Sequence, residues 1–246
     1  MRSMDCDVVI VGGAVAGAAL ACNLRDTALR VLVLETTPQI PPINRGDALA
    51  PCTVSRLARW GALPSFEKHG AIHVAQWRAI GPEGEALLHV KIAQTAPPPH
   101  NLILCLPHPI LEEALVETAL MSGAVQFKRD VRVTGLLKDD RGAVIGVRAV
   151  SSGESLEVRA RLACGCDGAG SLVRQQAGIA TDIYTYPYQY VMLTCIRSPD
   201  QPEDQNTEVW GADGFCGLYP ITAEHVRCPV QACPRRTRAL AGDWTR

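Results

Sequence analysis

A glycine-rich turn, Gly12-Gly13-Ala14-Val15-Ala16-Gly17, follows the apolar run Val8–Val11, and a second apolar run, Val31–Leu34, ends in the acid Glu35. These residue types at this spacing suit one chemistry. Glycines let a backbone approach a ligand closely, and N–H groups at a helix start, helped by the helix dipole, hold an anion. A carboxylate 18 residues past Gly17 can accept a hydrogen bond from a ribose hydroxyl. Gly12, Gly13, Ala14, Ala16, Gly17 and Glu35 are therefore candidate contacts of a dinucleotide. Ala14 occupies the second glycine of G-x-G-x-x-G, and its methyl narrows the room for a pyrophosphate without closing it. Downstream, Arg45 lies in the proline-rich loop TTPQIPPINRGDALAP, where it is either a solvated charge or a bidentate partner for a diphosphate. Asp167-Gly168-Ala169-Gly170-Ser171 combines an acid at a strand end, two glycines that permit close approach, and a serine able to cap the next helix.

These groups need elements to position them. The first stretch reads as strand, turn, small-residue helix to about Leu24, and strand. A membrane segment is the competing reading, since Val8–Leu24 carries no charge and Gly13/Gly17 form a G-x-x-x-G pair. That run is slightly short for a span, and Asp5 and Asp7 precede it where a signal peptide would be basic. Further on, CTVSRLARWGAL predicts a short helix closed by Gly61, and Ile72–Ile80 with Glu85–Ile92 predicts a hairpin around Gly-Pro-Glu-Gly. His73, Trp77 and His89 on that hairpin read as half-buried sheet surface. ILEEALVETALMSG, opened by Pro109, carries a clean apolar stripe and stops at Gly123. Three strand candidates then lead into Asp167. After Gly178, IYTYPYQYVMLTCIR and TEVWGADGFCGLYPIT read as strands of a second, sheet-built region, with Tyr184, Tyr186, Tyr188 and Tyr190 on one face. From Val226 onward no period is visible, and an irregular tail is expected.

Charge is balanced, with 24 basic against 25 acidic residues, so no electrostatic footprint for nucleic acid or anionic lipid is present. The ten cysteines lack metal-ligand spacing and read as reduced thiols of a cytoplasmic protein, mostly small core residues. No metal and no transmembrane segment is expected.

Four stretches taken together resemble the FAD-dependent aromatic-ring hydroxylases, flavoprotein monooxygenases of the para-hydroxybenzoate hydroxylase type. They are DVVIVGGAVAGAALACNL…VLVLE, RGDALAPCTVSRLARWGAL, LPHPILEEALVETALMSGAVQF and ARLACGCDGAGSLVRQQAGI, and the resemblance spans about residues 5–225. It implies an α/β fold, a Rossmann-like FAD-binding domain (parallel sheet with helices) plus a smaller, mainly antiparallel β substrate region, incomplete relative to the family. The expected division is 1–72 and 99–180 for the FAD-binding domain, 73–98 and 181–225 for the substrate region, and 226–246 for the tail. By the same resemblance Gly12, Gly13, Ala14 and Gly17 line the FAD pyrophosphate and Glu35 holds the adenosine ribose. Arg45 lies near the phosphates, and the Val133 backbone meets the adenine. Asp167 and Gly168 serve FAD and NAD(P)H, with Ser171 and Arg174 completing the helix start. His108 stands where the family usually carries arginine, and makes a weaker phosphate or flavin-edge partner.

The activity so implied is monooxygenation: NAD(P)H as co-substrate reduces FAD, O₂ gives a flavin C4a-hydroperoxide, and a hydroxyl passes to a small aromatic substrate. No protein nucleophile is required, so no catalytic side chain is named. FAD enzymes of the prenyl reductase or halogenase type, and a non-catalytic FAD-binding remnant, share these motifs and stand as alternatives. Family members are longer and carry a downstream Gly-Asp motif; Gly242-Asp243 is read as a chance match.

Overall fold

The computed structural model describes residues 2–42, 47–212 and 214–232. In chain order, β1 (Arg2–Val11) leads into α1 (Val15–Leu24), and β2 (Val31–Leu34) follows. Next come β3 (Ala48–Leu49), α2 (Pro51–Arg59), α3 (Leu63–Lys68) and β4 (Ile72–Val74). The strands β5 (Gln76–Ile80), β6 (Ala86–Lys91) and β7 (Ile103–Cys105) precede α4 (His108–Leu120). Then β8 (Val125–Lys128), β9 (Arg132–Lys138), β10 (Val144–Ser151) and β11 (Glu154–Gly165) lead to α5 (Leu172–Gln176). Last are β12 (Gln189–Ile196), β13 (Gln205–Gly211), β14 (Gly214–Pro220) and β15 (His225–Ala232). The chain forms two compact units, residues 1–42 with 111–182, and residues 43–110 with 183–246.

The first unit is built on a six-stranded sheet in the order β8-β2-β1-β11-β10-β9. β8, β2, β1 and β11 run parallel, while β10 and β9 are antiparallel additions. Parallel strands covered on both faces must be apolar at every position. That is why Val8–Val11 and Val31–Leu34 read as unbroken apolar runs, and all eight residues are buried. The antiparallel part turns at Asp139 and Gly142, then at Ser152 and Gly153, the last three with positive φ. β11 pairs with β1 from Arg2↔Leu156 to Val11↔Gly165, so its end arrives beside the end of β1. Val9, Val11, Leu32, Leu34, Val147 and Val158 join one core cluster.

The second unit holds a six-stranded sheet, β12-β15-β14-β13-β5-β6, and a three-stranded sheet, β3-β7-β4. The larger sheet is antiparallel except where β13 runs parallel to β5. The expected hairpin is β5–β6, closed by Gly81 N–H donating to the Glu85 carbonyl at 2.8 Å. The expected substrate-side segments, 73–98 and 181–225, fall in this unit apart from residues 181 and 182, but the unit also takes in 43–72 and 99–110, which the expected division gave to the FAD-binding domain. Two local expectations need correction. The aromatic stretch becomes a strand only at Gln189; residues 183–188 are irregular, although the four tyrosine rings do follow one another at centroid distances of 4.9, 5.5 and 5.8 Å. The stretch from Val226, expected to be irregular, carries β15 between β12 and β14. Pro229 and Cys228 hid that strand, because the pairing with β14 lapses between Val230 and Arg227, where a proline nitrogen has no proton to donate. No helix among the described residues is long and apolar enough to cross a membrane.

Candidate functional site

The glycine turn leaves β1 with Gly12 at φ +95°, a region that L side chains rarely adopt. A Cβ there would also overlap the Cys166 carbonyl and lie 3.0 Å from the Asp167 nitrogen. Gly12 thus touches the segment that follows β11, which is itself tied down by Cys166 N–H donating to the Val11 carbonyl at 2.7 Å. The two motifs, far apart in sequence, meet at the C-terminal ends of the adjacent parallel strands β1 and β11. In an open parallel sheet that is where ligands bind. At Gly17 a Cβ would overlap the Gly12 carbonyl oxygen, so glycine is what lets α1 pack against the turn.

Ala14 is the residue before α1 and offers no side-chain cap, and the first turn of that helix contains no acid. The first N–H groups of a helix have no partner within it. Here, with Ala16 and Gly17 in the first turn, they form an electropositive end suited to an anion.

Glu35 is 9% exposed at the end of β2. Its carboxylate accepts from Gly13 N–H at 2.7 Å, from Thr37 N–H at 2.8 Å and from the Thr37 hydroxyl at 2.9 Å. Burial opposes ionisation, but these donors and the charge of Arg129 outweigh it and hold the carboxyl below its ordinary range. Glu35 therefore fixes the glycine turn whatever else it binds. Because its folded value is lowered, its stabilising contribution is present above the ordinary carboxylate range and is lost as pH falls through the lowered value. Glu35→Gln is expected to cost about 1 kcal/mol near neutrality. The gap between variant and parent should close on acidification, as read from thermal melts taken from pH 7 to pH 3.

Asp167 is engaged within its own loop. One oxygen accepts from the Ser171 hydroxyl, and the other from Leu172 N–H at 2.7 Å and Val173 N–H at 3.2 Å. Ser171 in turn accepts from Arg174 N–H at 3.0 Å, and the Arg174 guanidinium donates to the Ala169 carbonyl at 2.7 Å. Asp167, Ser171 and Arg174 therefore shape the start of α5. Gly168, at φ +82° with no atom within 4 Å of a would-be Cβ, leaves the loop's backbone open on that side. Val133 is partly buried on β9 and packs on the core cluster; the closer neighbour of Glu35 is Val131, whose N–H donates to the Glu35 carbonyl at 3.0 Å.

Two candidates remain. Arg45 lies outside the described residues. His108 belongs to the second unit, where its N–H donates to Asp47 at 2.9 Å and its Nδ1 is buried without a hydrogen-bond partner among the described residues.

Asp47 itself was not singled out by sequence, nor was Arg227. Both side chains are 2% exposed, and the Arg227 guanidinium grips Asp47 with two nitrogens while a third donates to the Thr194 hydroxyl. Nothing local marks a pair separated by 180 residues. Fewer of the cysteines are core residues than expected: among the nine described, Cys6, Cys22, Cys105 and Cys228 are buried, Cys164, Cys166 and Cys216 are half-buried, and Cys52 and Cys195 are exposed; burial pushes the Cys22 and Cys105 thiols up to about 12.

Residues 5–236 match the FAD binding domain family. The chain is 34% identical over 175 residues to rifampicin monooxygenase of Streptomyces venezuelae, covering 71% of this chain and 34% of that protein. It is 28% identical over 194 residues to para-nitrophenol 4-monooxygenase of a Pseudomonas species, covering 78% and 47%. In fold it is similar to the crystal structure of p-nitrophenol 4-monooxygenase PnpA from Pseudomonas putida, with a TM-score of 0.85 at 22% identity over 98% of this chain and 62% of that one. The chain thus spans a third to a half of the length of these two curated relatives.

Proposed function

Because the chain belongs to the FAD binding domain family, to which its resemblance to FAD-dependent aromatic hydroxylases had pointed, we propose that it holds FAD in an NAD(P)H-dependent monooxygenase acting on a small aromatic substrate with O₂. The observation that carries this reading is the junction of Gly12 with Cys166 and Asp167 at the ends of two parallel strands. The residues present fit the cofactor. Glycine at 12, 13 and 17 lets the turn lie directly against Cys166, Phe127 and the Gly12 carbonyl, where a Cβ would collide, and α1 presents an uncapped N-terminus free of acid. In this reading the N–H groups around Ala14, Ala16 and Gly17 bind the FAD pyrophosphate. Glu35 keeps the turn in shape through Gly13 and offers remaining lone pairs to the ribose. Asp167, Ser171 and Arg174 hold the loop whose backbone at Gly168 faces a ligand, while Arg45, His108 and the Val133 backbone are assigned to the cofactor by resemblance alone. Bound FAD would supply the redox chemistry, passing electrons from NAD(P)H toward O₂. The protein's part is to bind, orient and keep water away.

Titration of the purified chain with FAD, followed by flavin fluorescence, is expected to saturate at one equivalent. Phenol is expected to stimulate NAD(P)H oxidation, with ¹⁸O from ¹⁸O₂ retained in the product. Absence of flavin binding overturns the proposal, and turnover without ¹⁸O incorporation reassigns the chain to an FAD enzyme of another reaction type.

A further inference from the structure

Strand register places a set of polar and aromatic side chains on one face of the larger sheet of the second unit. Glu208 on β13 is opposite Gly217 on β14 and beside Ala79 on β5. Counting in twos along each strand, Asn206 and Trp210 share that face with Glu208, and Phe215 and Tyr219 share it with Gly217. Through Asn206↔Trp77, Trp77 joins them.

Glu208 is 7% exposed. Its carboxylate accepts from Trp210 Nε1–H at 2.7 Å and from the Tyr219 hydroxyl, and no described cation pairs with it. Gly217 makes the second bond possible: a Cβ there would lie 2.8 Å from both the Tyr219 ring and Pro229, so the ring crosses the vacant position to reach Glu208. Aromatic surface surrounds the carboxylate. Trp77 meets Tyr219 edge-on at 5.8 Å, Tyr190 meets Phe215 at 5.6 Å, and Trp210 and Tyr190 remain 43% and 50% exposed. Burial first, then the bond to Glu208, pushes the Tyr219 hydroxyl up, so Tyr219 is the donor of that bond. Two residues along the same strand face, Asn206 is fully buried with its amide against the Cys105 thiol.

A buried carboxylate served by two neutral donors, with no cation among the described residues, is costly as structure alone. A carboxylate has about four lone-pair sites, of which these donors take two. We propose that Glu208 is a specificity-determining residue whose carboxylate accepts a hydrogen bond from a hydroxyl or amino group on the substrate's aromatic ring. A ring bearing a carboxylate at that position is rejected by like charge, while the exposed faces of Trp210 and Tyr190 offer the ring a stacking surface. This rests on the reading of the chain as an aromatic hydroxylase and names the substrate class that the reading leaves open.

The test uses the purified full chain, calorimetric titration with phenol, aniline and benzoate as probes, and FAD titration of the same samples. Phenol and aniline are expected to bind at least tenfold tighter than benzoate. Glu208→Gln, which removes the charge but keeps the shape, is expected to bring the phenol-to-benzoate ratio to within about threefold of unity while FAD binding is unchanged. Glu208→Asp keeps the charge on a shorter stem, and is expected to weaken phenol while still rejecting benzoate; it provides the same readout should the glutamine variant fail to fold. A wild-type chain that binds benzoate as well as phenol, or binds none of the probes, overturns the proposal, as does an unchanged ratio in Glu208→Gln. Loss of FAD binding with the probe preference intact would instead count against the flavin assignment.

Discussion

Replacing Gly12 by alanine is expected to lower FAD affinity at least a hundredfold and to cost about 3–5 kcal/mol of stability. Two penalties coincide there. The backbone sits at φ +95°, which costs a Cβ-bearing residue about 1–2 kcal/mol. The added methyl also overlaps the Cys166 carbonyl, which is backbone held in place by Cys166's own N–H donating to the Val11 carbonyl and has no rotamer to give. Relief requires β1 and β11 to separate at their ends, which opens the place where pyrophosphate is proposed to sit. Gly168→Ala is the matched control. Its φ is +82°, but a Cβ meets nothing within 4 Å, so strain of about 1 kcal/mol should be its whole cost. Thermal melts of the two variants separate strain from collision, and FAD titration of Gly12→Ala reads the affinity. If Gly12→Ala behaved like Gly168→Ala, the close approach of the two motifs would not matter to the site.

The contrast also shows what was legible in the sequence. The glycine turn could be read because each requirement is short-range: a positive φ at Gly12, a close helix–strand approach at Gly17, and apolar runs of four on either side. The resemblance assigned Asp167 to the cofactor; its carboxylate also accepts from three donors of its own helix start, the capping role that a serine four residues on already permitted. What remained hidden depends on tertiary pairing. β15 shows no alternation because Cys228 and Pro229 interrupt it, and it becomes a strand only through the neighbours on either side. Glu208 and Tyr219 look like unrelated residues until register sets them across Gly217. Asp47 was passed over in favour of Arg45 two positions earlier, since a charge buried by a partner 180 residues away leaves no local mark.

That buried pair carries the second large prediction. Arg227→Met is expected to cost about 3–5 kcal/mol, and to lower the melting temperature by about 10 °C, because it leaves the Asp47 carboxylate buried without its cation. Among the described residues Asp47 would keep the His108 backbone N–H alone, and the Thr194 hydroxyl would lose its guanidinium partner. The double variant Asp47→Asn, Arg227→Met should recover more than half of that loss. Asparagine retains an acceptor for the His108 N–H at the start of α4, and the uncompensated charge is gone. Desolvation makes an intact buried pair nearly neutral against an uncharged replacement, whereas half a pair is expensive, so the recovery distinguishes charge from packing. Denaturant melts of the single and double variants give both numbers. A single variant within 1 kcal/mol of the parent would mean that water reaches Asp47 and that the pair does not hold the second unit together.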